Sequence, residues 1–258
     1  MHRALAMALF RKVAAELAAS RGADYFEFDT AVRWSALRET DDVAEPRRWS
    51  DIHDAVPEHH RLRLAGHING QPIGPGARKL RGKLVECARA RRQARLVVLL
   101  ADTDGDDRLR AGARQVTDWA ANQDDLPPVT IGQPHCDAEG WLMAMPSLSA
   151  RQRERLAQAE RVLSFDPSLQ PDRLTSKPND AVTDAKRVLQ FVLLEVGDVL
   201  ASGRPASRPP NDDADRLAVQ LASDLTRLAP FEACGLASFI AELRSAVAGL
   251  LVEHLPEA

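Results

Sequence analysis

Cysteine is scarce: Cys87, Cys136 and Cys234 are the three in the chain, widely separated and in no CxxC pair. That spacing indicates neither a disulfide framework nor a structural zinc site, and the expected location is cytoplasmic. Long apolar runs are missing as well. No stretch approaches the roughly 20 residues needed to span a bilayer, and the N-terminus lacks a basic segment followed by an apolar one, so neither secretion nor membrane insertion is expected. There is no excess of positive charge either. With 34 Lys+Arg against 37 Asp+Glu and a net charge of -3, the chain is not one that coats nucleic acid, and any partner has to be argued from local patches. What is present is a globular composition of 258 residues, 45% hydrophobic and 28% charged. A chain of that length buries roughly 70 to 75% of its unfolded surface, enough for a large core without metals or disulfides.

In residues 3–20, Leu5, Leu9, Phe10, Val13 and Leu17 recur on one helical stripe, so an amphipathic helix is expected, followed by a short strand at Tyr25–Phe28. Between 29 and 76 the periodicity weakens and turn signals such as Gly74-Pro75-Gly76 accumulate. This reads as an irregular insertion with a possible short strand at 61–64, ending in a helix from Ala77 to Ala90. The clearest strand is Leu96-Val97-Val98-Leu99-Leu100, an uninterrupted apolar run suited to a parallel sheet covered on both faces. An acidic loop, a helix over 108–121 and a strand at Val129–Ile131 follow. That order predicts a right-handed βαβ unit with its loop at the carboxyl edge of the sheet, where open α/β sheets bind ligands. Asp137 is expected to N-cap a further helix carrying Glu139. Helices are expected over 150–163, 180–200, 212–228 and 233–254. The chain thus divides into an α/β domain over 1–200, a Pro-rich linker over 201–211 and a helical annex over 212–258. No internal repeat is found.

The chemistry concentrates in Asp102, Asp104 and Glu139. Alternate residues of an extended chain share a face, so Asp102 and Asp104 can point toward one side of the sheet edge. In outline that is a site for a hard cation such as Mg²⁺ or Mn²⁺, with Glu139 from the next strand-to-helix junction as a third carboxylate. The plainer alternative is that the acidic stretch caps the next helix, since Asp106 and Asp107 are placed to complement its dipole. An EF-hand is rejected, because a loop starting at Asp102 would put Asp107 and Ala113 where Gly and Glu are required. A haloacid-dehalogenase pattern is disfavoured by Asp106. A nucleotide-sugar transferase with a DxD site has no Gly-rich phosphate loop to support it.

Leu100-Ala101-Asp102-Thr103-Asp104-Gly105, then Glu139-Gly140-Trp141-Leu142-Met143-Ala144, with the later Asp166-Pro167 and Leu174-Thr175-Ser176-Lys177, resembles the Toprim-like bacterial proteins related to overcoming-lysogenization-defect (OLD) nucleases. The resemblance covers roughly residues 3–190. It implies a compact, mainly parallel α/β fold flanked by helices, with Asp102 and Asp104 as the metal-binding pair and Glu139 as the acidic residue of the later motif. It also implies Mg²⁺-dependent cleavage or rejoining of nucleic acid, and an ATPase partner in phage defence. Toprim domains carry a Glu at the end of their first strand, and the sequence begins in the helix after it. The expectation is therefore that an upstream extension or another chain supplies that group, or that the protein is a non-catalytic binding subunit.

Arg78, Lys79, Arg81 and Lys83, continued by Arg89, Arg91, Arg92 and Arg95, form a basic segment that could contact phosphates; the alternative is a solvated helix face. His53, His59, His60 and His67 read as surface histidines, because no H-x-x-x-H pair falls on a convincing helix. Trp119 and Trp141 read as core anchors. Cys136 beside His135 is not a nucleophile pair, since adjacent side chains diverge.

Overall fold

The computed structural model describes residues 2–21, 67–68, 71–74, 76–78, 80–82, 84, 94–103, 106–124, 126–135, 137–144, 147–176, 181–197, 200, 211–223 and 234–252. The expected strands at 25–28 and 61–64, the residues Asp104, Lys79, Lys83 and Cys136, and the Pro-rich segment 201–210 lie outside these. In chain order the elements are α1 (His2–Ser20), β1 (His67–Ile68), β2 (Gln71–Pro72), β3 (Val97–Leu100), α2 (Asp107–Ala120), β4 (Val129–Gly132), α3 (Ala138–Met143), α4 (Ala150–Leu163), a 3₁₀ turn (Pro171–Arg173), α5 (Ala185–Val192), α6 (Asn211–Ser223) and α7 (Leu236–Val252). Residues 76–78, 80–82 and 84 are also helical. No described helix is long and apolar enough to cross a membrane. The architecture is mixed helix and strand, with a two-stranded β3–β4 sheet among the described residues.

The apolar run and the Pro127-Pro128 signal produce the expected pairing. The Val97 N–H donates to Pro128 O at 2.9 Å, Ala101 to Gly132 O at 3.0 Å and Thr103 to Pro134 O at 3.2 Å. The offset between partners is constant, so the strands run parallel, and the ladder continues past β3 to Thr103. The intervening helix α2 starts as the acidic stretch predicts: Asp106 accepts the Arg108 backbone N–H at 2.9 Å as N-cap, and Asp107 lies in the first turn.

The chain forms two compact units. One comprises residues 1–14, 100–105 and 132–245; the other comprises 15–99, 106–131 and 246–258. In the second, α2 packs beside β1, and Gly112 lies so close to Gly76 and Ala77 that a Cβ there would collide with backbone. In the first, α3 packs against α5, α6 and the 3₁₀ turn, and α4 packs against α5. All six residues of α3 are buried. Trp141 is the core anchor expected of it, stacked on Phe239 at 5.3 Å with its indole N–H donating to Cys234 O at 2.7 Å. Next to Cys234, Gly235 has φ +81, and a Cβ there would stand 2.6 Å from Gln133 O, so glycine is required at that turn.

Helix α4 matches the predicted 150–163 span because Ser149 and Gln152 form a reciprocal capping box. The helix expected over 180–200 is shorter. It runs only from Ala185 to Val192, because Asp184 takes the N-cap position and accepts the Arg187 N–H at 3.0 Å. Trp119 is half-buried rather than a full anchor, with the Arg81 guanidinium 4.4 Å above its ring.

Candidate functional site

Asp102 lies between the sheet hydrogen bonds donated by Ala101 and Thr103, just past the carboxyl end of β3. Its Oδ1 accepts the Ala138 backbone N–H at 3.0 Å and lies 2.9 Å from His2 Nε2. Ala138 is the first residue of α3, so Asp102 supplies from another strand the cap that a neighbouring residue ordinarily provides. This corrects the expectation for Asp137. That residue occupies the N-cap position of α3 but makes no side-chain cap bond; its Oδ2 accepts from the Lys186 ammonium at 3.1 Å instead.

Glu139, the second residue of α3, is 1% exposed, and its Oε1 has no hydrogen-bond partner. Burial away from water pushes its carboxyl up to about 7; the Lys186 ammonium pulls the other way, and the charges of Asp137 and Asp102 add to the rise. Asp184, fully buried at the start of α5, is raised chiefly by burial as well, and its Oδ2 is likewise unpartnered. Every residue of α5 except Lys186 is buried. Burial alone would lower the Lys186 ammonium, but Glu139, Asp137 and Asp184 outweigh it and hold its pKa above the usual lysine value.

The corner therefore gathers Asp137, Glu139 and Asp184 around one lysine, with Asp102 and its partner His2 beside Glu139. Sequence reading placed Asp102 and Glu139 there and missed Asp137 as a charge partner, Asp184, Lys186 and His2. The usable signal for the missed group was Asp184-Ala185-Lys186, a polar start to an otherwise apolar helix. Beside the corner, Thr103 is buried, with its hydroxyl 3.2 Å from Pro134 O and 3.3 Å from His135 Nδ1.

The donor chemistry suits a hard cation: carboxylates, one of them buried with an orphaned oxygen. Among the described residues, no group of three His, Cys, Asp or Glu side chains is placed to hold a metal ion. Of the basic residues singled out, Arg78 is exposed and Arg81 is engaged with Trp119. No protein-family model, curated protein or solved structure matches the chain.

Proposed function

We propose that this protein is a Toprim-like, metal-dependent nuclease-type protein acting on nucleic-acid phosphodiesters, in the manner of a phage-defence subunit with an ATPase partner. The observation that carries this reading is the buried Glu139 carboxyl with its Oε1 left without a hydrogen bond, held in the first turn of a helix whose leading N–H is capped by Asp102. A buried polar atom without a partner costs stability on the order of 1–3 kcal/mol, so its presence calls for a function. Asp102, Asp104 and Glu139 would hold Mg²⁺ or Mn²⁺. When bound, the cation would supply charge stabilisation at a phosphodiester and a more acidic water. The protein's own contribution is to fix Asp102 by its bond to Ala138 and to keep Glu139 away from bulk water. Arg78, Lys79, Arg81 and Lys83 would contact phosphates.

A non-catalytic binding subunit is the second reading, and a specific observation favours it: Asp102 Oδ1 and the Asp137 carboxylate are already engaged, and Lys186 already brings a positive charge to the corner. Titration calorimetry with Mn²⁺, paired with cleavage of supercoiled plasmid and single-stranded DNA, separates the two. The nuclease reading expects binding and cutting that Asp102→Asn abolishes, with cutting brought out by a partner. Nucleic-acid binding with no cutting by any form supports the binding subunit.

A further inference from the structure

The segment that joins β4 to α3 is pinned by two consecutive residues just past the end of β3. Asp102 holds the Ala138 N–H, and Thr103 holds Pro134 and His135. The His135 backbone is fixed a second time, its N–H donating to Cys234 O at 3.2 Å. A half-buried imidazole is thereby fastened at the carboxyl edge of the sheet, where open α/β sheets place their ligands.

The hydrogen bonds around Thr103 decide which ring nitrogen carries the proton. The buried hydroxyl has one hydrogen and two contacts, Pro134 O at 3.2 Å and His135 Nδ1 at 3.3 Å. A carbonyl oxygen can only accept, so its contact uses the hydroxyl hydrogen. The contact with the ring is then a hydrogen bond if Nδ1 carries its own hydrogen and donates it to Thr103 Oγ1. The opposite choice satisfies one contact and leaves two acceptor oxygens facing each other at 3.2 Å. In the neutral ring Nε2 is therefore the bare nitrogen. It has no hydrogen-bond partner among the described residues and is not sealed from water. A ring oriented through one nitrogen, with the lone pair of the other free, is the arrangement of a general base and its orienting partner.

Resting on the phosphodiester reading above, we propose that His135 is the proton acceptor of the hydrolysis and Thr103 its positioning residue. Nε2 takes a proton from water as the water oxygen bonds to phosphorus. The bond from phosphorus to the leaving oxygen breaks, that oxygen takes a proton from solvent, and the imidazolium returns its own proton to solvent. Neither residue has to ligate a cation for this.

Two measurements on the full chain test the assignment. Ring ¹⁵N NMR of the wild type should show neutral His135 protonated at Nδ1 and bare at Nε2. The second is hydrolysis of bis(4-nitrophenyl) phosphate with Mn²⁺ present, whose 4-nitrophenolate leaves without needing a proton, so that the rate reads the base. His135→Ala should lower kcat by about 100-fold or more with KM little changed, and added imidazole should restore part of the loss. Thr103→Val should lower kcat by less, and Thr103→Ser, which keeps the hydroxyl, should recover it. An Nε2–H ring, or Asp102-dependent hydrolysis that is unchanged in His135→Ala or lost there without imidazole rescue, overturns the role of His135 and leaves the phosphodiester reading standing. No hydrolysis by the wild type overturns both.

Discussion

The carboxylate of Asp102 caps the helix that carries Glu139: its Oδ1 accepts the Ala138 N–H at 3.0 Å, across 36 residues of sequence. One side chain therefore serves structure and candidate chemistry together, and the two roles respond differently to substitution. Asp102→Ala removes the cap and should cost about 1 kcal/mol in urea unfolding. Asp102→Asn keeps an acceptor oxygen and should cost less than half of that while abolishing Mn²⁺ binding. Equal destabilisation by both would show that the negative charge, not the hydrogen bond, holds α3.

Glu139 makes stability depend on pH in a defined direction. Its folded-state pKa is raised to about 7 from an ordinary 4.5, so the folded chain retains a proton that the unfolded chain gives up between those values. Stability is then highest below the unfolded pKa and falls as pH rises through about 7. Glu139→Gln should remove this slope: in chelator, the variant should unfold at higher urea than wild type at pH 8, with the gap closing toward pH 4.5. A gap of constant size across the range would dismiss the raised carboxyl.

Lys186 is the shared counter-charge of Asp137, Glu139 and Asp184. Lys186→Met leaves these carboxylates facing one another and should destabilise the fold by on the order of 2 kcal/mol, below the full cost of breaking a buried pair because the ammonium is partly solvated. Adding Asp137→Asn should recover part of the loss. Strict additivity of the two changes in a double-mutant cycle would mean that the 3.1 Å ion pair carries no coupling.

On the basic segment, reversing Arg78, Lys79, Arg81 and Lys83 to Glu should flatten the slope of log K against log salt for duplex DNA by about 0.9 per lost phosphate contact. Arg78→Glu alone should account for more of the change than Arg81→Glu, because Arg81 already lies against Trp119. An unchanged slope in the fourfold variant makes this a solvated helix face.

Elements whose signals are local were legible in the sequence. The run Val97–Leu100 gave a parallel strand, the helix expected over 150–163 is α4, and the acidic stretch at Asp106 and Asp107 starts α2. The site was legible only in part, since Asp102 and Glu139 flank predicted strand-to-helix junctions. Asp137 misled because its local position is that of an N-cap, while tertiary packing offered it an ammonium and gave the cap to Asp102. Lys186 and His2 could not be placed, because each meets its partner through packing of helices distant in the chain, and no periodicity encodes which helices meet.

The complete burial of α3 has a consequence during synthesis. The carbonyl that receives the Trp141 indole belongs to Cys234, 93 residues downstream, and the ring stacked on it is Phe239. At ribosomal rates of roughly 5–20 residues per second, the apolar surface of α3 waits about 5–20 s for that cover. A nascent chain arrested before Cys234 should therefore recruit trigger-factor-type chaperones through Trp141, Leu142 and Met143, and release them once α7 has emerged.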